Sequence, residues 1–167
     1  MADKYLKLGS SGFPQEQEAV TSSTGAGDSG KIVALDSNGQ IDPSMLGTTE
    51  SITMTASESV SAGDFVNFWD DSGTIKMRKA TNTGIATQAD GYVKSGVTSG
   101  ASGTVYRDCG LLTGLSGLTV GARYFLGTSG AITTTIPTGS GSIVQYLGKA
   151  QTTSALFVDI EDPIIRA

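Results

Sequence analysis

Trp69-Asp70-Asp71-Ser72-Gly73-Thr74-Ile75 carries an apolar residue into a short acidic and small-residue run, reaches Ser before Gly, and returns at once to an apolar residue. Gly supplies the positive φ that closes a hairpin or a G1 bulge, and Asp and Ser satisfy local backbone donors, so the stretch reads as a β-hairpin tip. The same chemistry recurs at Leu8-Gly9-Ser10-Ser11-Gly12-Phe13, at Leu35-Asp36-Ser37-Asn38-Gly39-Gln40-Ile41 and at Leu126-Gly127-Thr128-Ser129-Gly130-Ala131-Ile132. Four such tips in one short chain predict an antiparallel β meander and argue against an α/β arrangement. They are alike in turn chemistry and are no sign of a duplicated domain.

From Ser51 onward, apolar or alternating runs are broken by turn signals about every 8 to 12 residues, the spacing of a sandwich or barrel. The expected strands are Ser51 to Ala56, Phe65 to Trp69, Ile75 to Ala80, Gly91 to Lys94, Gly103 to Cys109, Arg123 to Leu126, Ala131 to Thr135, Ser142 to Gln151 and Ala155 to Ile160. Gly, Ser and Thr make up roughly two-fifths of the chain, far above ordinary globular usage. Strong helix formers are sparse, and no apolar pattern at helical spacing lasts more than about two turns. The fold class expected is all-β: a small antiparallel β-sandwich or barrel with an extended N-terminal arm.

That arm is residues 1–50, and the compact β-domain is 51–167. The first part is polar and turn-rich, with a Ser/Thr/Gly run from Thr21 to Gly27. Its apolar residues form two small sets, Tyr5, Leu6, Leu8 and Phe13, then Ile32, Val33, Leu35 and Ile41. Neither set is large enough to make a core, so each needs a surface to bury against. That surface is the chain's own body, a sister chain or an unlike partner, and an unlike partner is the preferred reading. These eight residues are the candidate partner-binding set.

Charge and composition exclude several function classes. The 167 residues carry a formal charge of −5, and the 11 basic residues are scattered singly, which argues against a nucleic-acid partner. One cysteine, Cys109, forms no internal disulfide, which fits assembly in a reducing cytoplasm. No signal peptide is seen at Met1-Ala2-Asp3-Lys4-Tyr5, and no apolar run approaches the length of a membrane span, so a soluble protein without a membrane partner is expected.

Chemical motifs fail on inspection. Gly25-Ala26-Gly27-Asp28-Ser29-Gly30-Lys31 fits seven places of a phosphate-binding P-loop, but Ile32 stands where Ser or Thr would hold magnesium, and Ile32-Val33-Ala34-Leu35 reads as a strand. Gly27-Asp28-Ser29-Gly30 resembles the nucleophile loop of trypsin-like proteases, yet the chain contains no His to take the serine's proton. A Ser-Lys pair is the remaining option, and a low-complexity turn explains the same letters. Without His, and with one Cys, no zinc site can be built. Asp36, Asp42, Asp70 and Asp71 have calcium's ligand chemistry, but Gly39 comes too early for an EF-hand and turn capping accounts for them. Spacing alone leaves a glycosidase carboxylate pair open, although the chain is small for a sugar cleft. Phe65, Phe68, Trp69, Tyr92, Tyr106, Tyr124, Phe125, Tyr146 and Phe157 fall mostly in expected strands and read as core or inter-subunit packing. No catalytic residue, cofactor or metal is expected.

Two segments carry a resemblance. Lys4-Tyr5-Leu6-Lys7-Leu8 through Gly30-Lys31-Ile32-Val33-Ala34-Leu35-Asp36-Ser37-Asn38-Gly39-Gln40-Ile41-Asp42-Pro43-Ser44-Met45-Leu46 is similar to the N-terminal arms of tailed-phage structural proteins. Gly114-Leu115-Ser116-Gly117-Leu118-Thr119-Val120-Gly121-Ala122-Arg123-Tyr124-Phe125-Leu126, continued by Gly130-Ala131-Ile132 and by Val144 to Ala150, resembles a small β-domain of phage head-decoration (cement) proteins, found also in some tail-fibre proteins. An arm plus one compact domain is the format of a cement protein, whereas fibres are usually much longer. The decoration family implies a virion protein made in the host cytoplasm, a homotrimer on the outer surface of the capsid, with its arm across neighbouring subunits of the major capsid protein. The alternative is a short tail-fibre or adhesin module that binds host surface glycans.

Overall fold

The computed structural model describes residues 4–42, 45, 51–107 and 110–167. Cys109, at the end of one expected strand, and Pro43, Ser44 and Leu46 of the resembling segment lie outside the described residues. The chain divides into two compact units, Met1–Thr49 and Glu50–Ala167. The described residues form an all-β structure whose strand pairings are antiparallel, with 3-10 turns at Ala26–Asp28 and Ile85–Thr87 and no α-helix. Among them no helix is long and apolar enough to cross a membrane.

The N-terminal unit contains one hairpin, β1 (Lys4–Leu8) with β2 (Pro14–Glu18), in which Tyr5 lies opposite Gln17 and Leu8 opposite Pro14. Its tip is closed by a bond from the Gly12 N–H to the Gly9 carbonyl, 2.9 Å, with Gly12 at φ 80°.

The second unit is built on two five-stranded sheets. One has the order β3-β7-β6-β4-β5, from β3 (Ser51–Thr55), β4 (Phe65–Asp71), β5 (Thr74–Lys79), β6 (Gly91–Val93) and β7 (Ser102–Tyr106). The other has the order β10-β9-β12-β13-β8, from β8 (Gly110–Thr113), β9 (Arg123–Leu126), β10 (Ile132–Thr133), β12 (Tyr146–Thr152) and β13 (Ala155–Val158). A short ribbon pairs β11 (Ile143–Val144) with β14 (Ile164–Ile165).

Period-2 alternation sorts the cores. Phe65 and Tyr92 point into a cluster shared with Leu112, Tyr124, Leu126, Leu147, Leu156 and Val158 of the second sheet, so this cluster is the sandwich interior. Their neighbours Val66 and Val93 point the other way, into a smaller cluster with Ala56, Val60, Met77 and Val105. The first sheet therefore has a buried surface on both faces.

The β4–β5 tip turns in two residues, Ser72 (φ 58°) and Gly73 (φ 88°), with the Gly73 N–H on Asp70 Oδ1 at 2.7 Å. Both residues have positive φ, the backbone whose twist matches a two-residue hairpin. The β9–β10 tip does more than reverse the chain. Phe65 N–H donates to the Gly130 carbonyl at 2.9 Å and Gly130 N–H to the Ala80 carbonyl at 2.7 Å, which ties one sheet to the other. A Cβ at Gly130 would meet the Asp64 side chain at 2.9 Å.

Four expectations need correction. The chain is no simple meander, because β9 lies beside β12, β13 beside β8, β3 beside β7 and β4 beside β6, so hairpins are joined by crossovers. The run expected over Gly103 to Cys109 ends as a strand at Tyr106, and β8 was not anticipated. The run Ser142 to Gln151 is broken at Gln145, whose side chain bonds the backbone of Ala89, 56 residues away in the same chain. The Leu35–Ile41 turn does close, with Asp36 N–H on the Gln40 carbonyl at 2.7 Å, but no named strand flanks it, so it is not a hairpin tip.

Candidate partner-binding surface

None of the described residues of the N-terminal unit is buried. Leu6, Leu8 and Phe13 are each about 70% exposed, and Ile32, Val33, Leu35 and Ile41 each about half. The strand explains the first group: alternation puts Leu6 and Leu8 on one face of β1 and Tyr5 and Lys7 on the other. Phe13 sits where the hairpin returns, just before β2.

Tyr5 differs from the other seven. Its hydroxyl accepts the Ile32 N–H at 3.2 Å and lies 3.5 Å from the Gly30 carbonyl, so it joins the hairpin to the 30–34 segment and is half-buried. That segment is also held by Val20, whose N–H bonds the Ile32 carbonyl and whose carbonyl accepts the Ala34 N–H. The backbone is thus organised while the apolar side chains of Ile32, Val33 and Leu35 stay exposed. A lone two-stranded hairpin is marginal in water, and here its apolar side chains are arrayed on a small ordered unit that buries none of its described residues.

The motif residues of this unit are used locally. Ala26–Asp28 is a 3-10 turn, and Asp28 accepts from the Thr24 N–H and hydroxyl, both at 2.7 Å, and pairs with Lys31 Nζ at 2.8 Å. The Lys31 contact, with the Thr24 bonds, holds the Asp28 carboxyl well below the usual carboxylate range. In return Asp28 raises the pKa of Lys31, so the lysine stays a cation within this ion pair. Asp36 Oδ1 accepts from the Asn38 and Gln40 N–H groups, as a turn cap does, and these bonds lower its pKa. Asp70 caps the Gly73 turn, and Asp71 pairs with Lys76. No three His, Cys, Asp or Glu side chains come together as a metal cluster among the described residues.

In the body the aromatic residues divide. Phe65, Tyr92 and Tyr124 are core, with Tyr92 stacked on Tyr106 at 5.6 Å, whereas Phe125 and Tyr146 are half-buried and Phe157 is exposed. Two buried polar side chains had no sequence signal beyond being polar among apolar neighbours. Gln145 bonds the Ala89 N–H and carbonyl and the Glu161 carbonyl, and Asn67 bonds Asp90 and Arg78. Both are fully engaged and serve the framework.

No family model matches the chain, and neither does any curated protein sequence. Among solved structures it is similar to the N base of the head fiber gp8.5 of bacteriophage phi29, at a TM-score of 0.45 and 20% identity, covering 70% of this chain and 98% of that one. With so low a score the likeness carries neither fold nor function to this chain.

Proposed function

We propose that the chain is a non-catalytic structural protein of a tailed-phage particle that decorates and stabilises the assembled capsid. In this reading its N-terminal unit binds across subunits of the major capsid protein, and the protein sits as a homotrimer on the outer surface of the shell. The observation that carries the proposal is the N-terminal unit itself: seven apolar side chains stand exposed on a small ordered backbone that buries none of its described residues. The resemblance of the first segment to arms of tailed-phage structural proteins, and of the second to a β-domain of phage decoration proteins, suggests the partner. A site that is complete only on an assembled shell would stabilise that shell by mass action. Leu6, Leu8 and Phe13 are the first anchors, and Ile32, Val33, Leu35 and Ile41 the second set, with Tyr5 holding the two together.

The second reading, a short tail-fibre or adhesin module, draws on Phe13, an aromatic side chain exposed at a hairpin tip. Incubation of the protein with undecorated heads and with isolated tails, followed by sedimentation, separates the two. Pelleting with heads is expected; pelleting with tails alone would replace the capsid reading by the fibre reading.

A further inference from the structure

The body carries a cleft of about 290 Å³ on which nothing so far depends. One wall holds Phe125 and Tyr146, set edge to face at 6.1 Å, with the Arg123 guanidinium 5.7 Å from the Tyr146 ring. The floor is apolar, from Val144 and Ile164, which lie opposite each other in the β11–β14 ribbon. Asp159, Glu161 and Asp162 supply carboxylates to the remaining side, and none of the three is salt-bridged among the described residues.

This arrangement is rigidly framed. The Asp159 N–H donates to the Leu147 carbonyl at 3.0 Å and the Glu161 N–H to the Tyr146 carbonyl at 3.1 Å, so the acidic segment is pinned to the strand that bears the tyrosine. Buried Gln145 fixes the same segment through the Glu161 carbonyl at 3.0 Å. The backbone that bears these carboxylates is therefore in place before any ligand arrives, which lowers the ordering cost that opposes binding. Burial, followed by the Asp159 carboxylate, pushes the Tyr146 hydroxyl above its ordinary range, in keeping with charged groups converging on that ring.

We infer that this cleft is a binding site for a neutral saccharide unit. Aromatic walls and an aliphatic floor suit the C–H faces of a pyranose or the methyl of an N-acetyl group, and carboxylates with one guanidinium suit its hydroxyls. Three carboxylates against one guanidinium leave the cleft negative, which selects against acidic sugars. A second cleft of about 430 Å³, lined also by Arg107, shares Glu161 and Asp162 with the first. The inference stands on the body alone and does not rest on the capsid reading.

The test is a titration of the full chain by amide NMR with glucose, galactose and N-acetylglucosamine, and with N-acetylneuraminic acid as the acidic control. At least one neutral sugar is expected to shift amides of residues 123–125, 144–146 and 159–164, while the acidic sugar does not. Tyr146→Ala and, separately, Glu161→Gln should each weaken that binding about tenfold or more; Glu161→Gln leaves the apolar packing intact and guards against misfolding of the first variant. No shift with any of the three neutral sugars, equal shifts with the acidic sugar, or undiminished binding by Glu161→Gln would overturn the inference.

Discussion

The two units solve opposite problems with the same turn chemistry. In the body, hairpins closed by Ser72-Gly73 and Ser129-Gly130 bring alternating residues into two clusters, and all the buried apolar side chains among the described residues belong to it. In the N-terminal unit, the hairpin closed at Gly12 and the Asp36 turn order the backbone as well, but Leu6, Leu8, Phe13, Ile32, Val33, Leu35 and Ile41 stay exposed. Backbone order is thus separable from burial. Where the strands have a second sheet to cover them, alternation makes a core; where they have none, the same alternation leaves apolar side chains exposed.

Substitutions should break this comparison to different degrees. The largest effect is expected in the sandwich interior. Leu156→Ala deletes a fully buried side chain between the sheets and should cost about 2–5 kcal/mol, read as a lowered denaturant midpoint. Gln145→Leu should follow, at about 1–3 kcal/mol by the same measurement, because it leaves the Ala89 N–H and carbonyl and the Glu161 carbonyl without their partner. A cost near zero would show that the carboxamide is not what joins these segments.

The smallest effect is acid sensitivity in the N-terminal unit. The Asp28 pKa is lower in the folded unit than its ordinary 3.8. The stabilisation from its bonds to Lys31 and Thr24 is therefore fully present above about pH 4 to 5, and it fades as the pH drops below 3.8 toward the folded-state value. Amide shifts of residues 24 to 32 followed on acidification should remain constant to about pH 4 and move only below it. Asp28→Asn should remove that acid transition, and its persistence in the variant would assign it to another group.

How much of this was legible in the sequence depends on whether the signal was local. Ser72-Gly73 and Ser129-Gly130 could be read because a turn is specified by the residues in it. Strand β8 could not: Leu111-Leu112-Thr113 is short, and its pairing partner, β13, lies more than forty residues further along the chain. The crossovers that replace a meander have the same origin, since no local pattern states that β9 pairs with β12. For the candidate sites, exposed Leu6, Leu8 and Phe13 followed from a shortage of apolar neighbours in the first fifty residues. Tyr5 was read as an anchor because its hydrogen bond to the Ile32 N–H spans 27 residues and has no mark in the sequence. The cleft of Arg123, Tyr146 and Asp159 was illegible for a similar reason: these residues come from separate elements, and only their backbone pairing brings them to one place.

The central claim, that the N-terminal unit attaches and the body folds, is tested most directly by sedimenting undecorated heads with the triple variant Leu6→Ser, Leu8→Ser, Phe13→Ser. Because these side chains are about 70% exposed, the variant should unfold within about 1 kcal/mol of wild type. It should nevertheless stay in the supernatant while the wild-type chain pellets with the heads. A triple variant that pellets as fully as wild type would contradict the account.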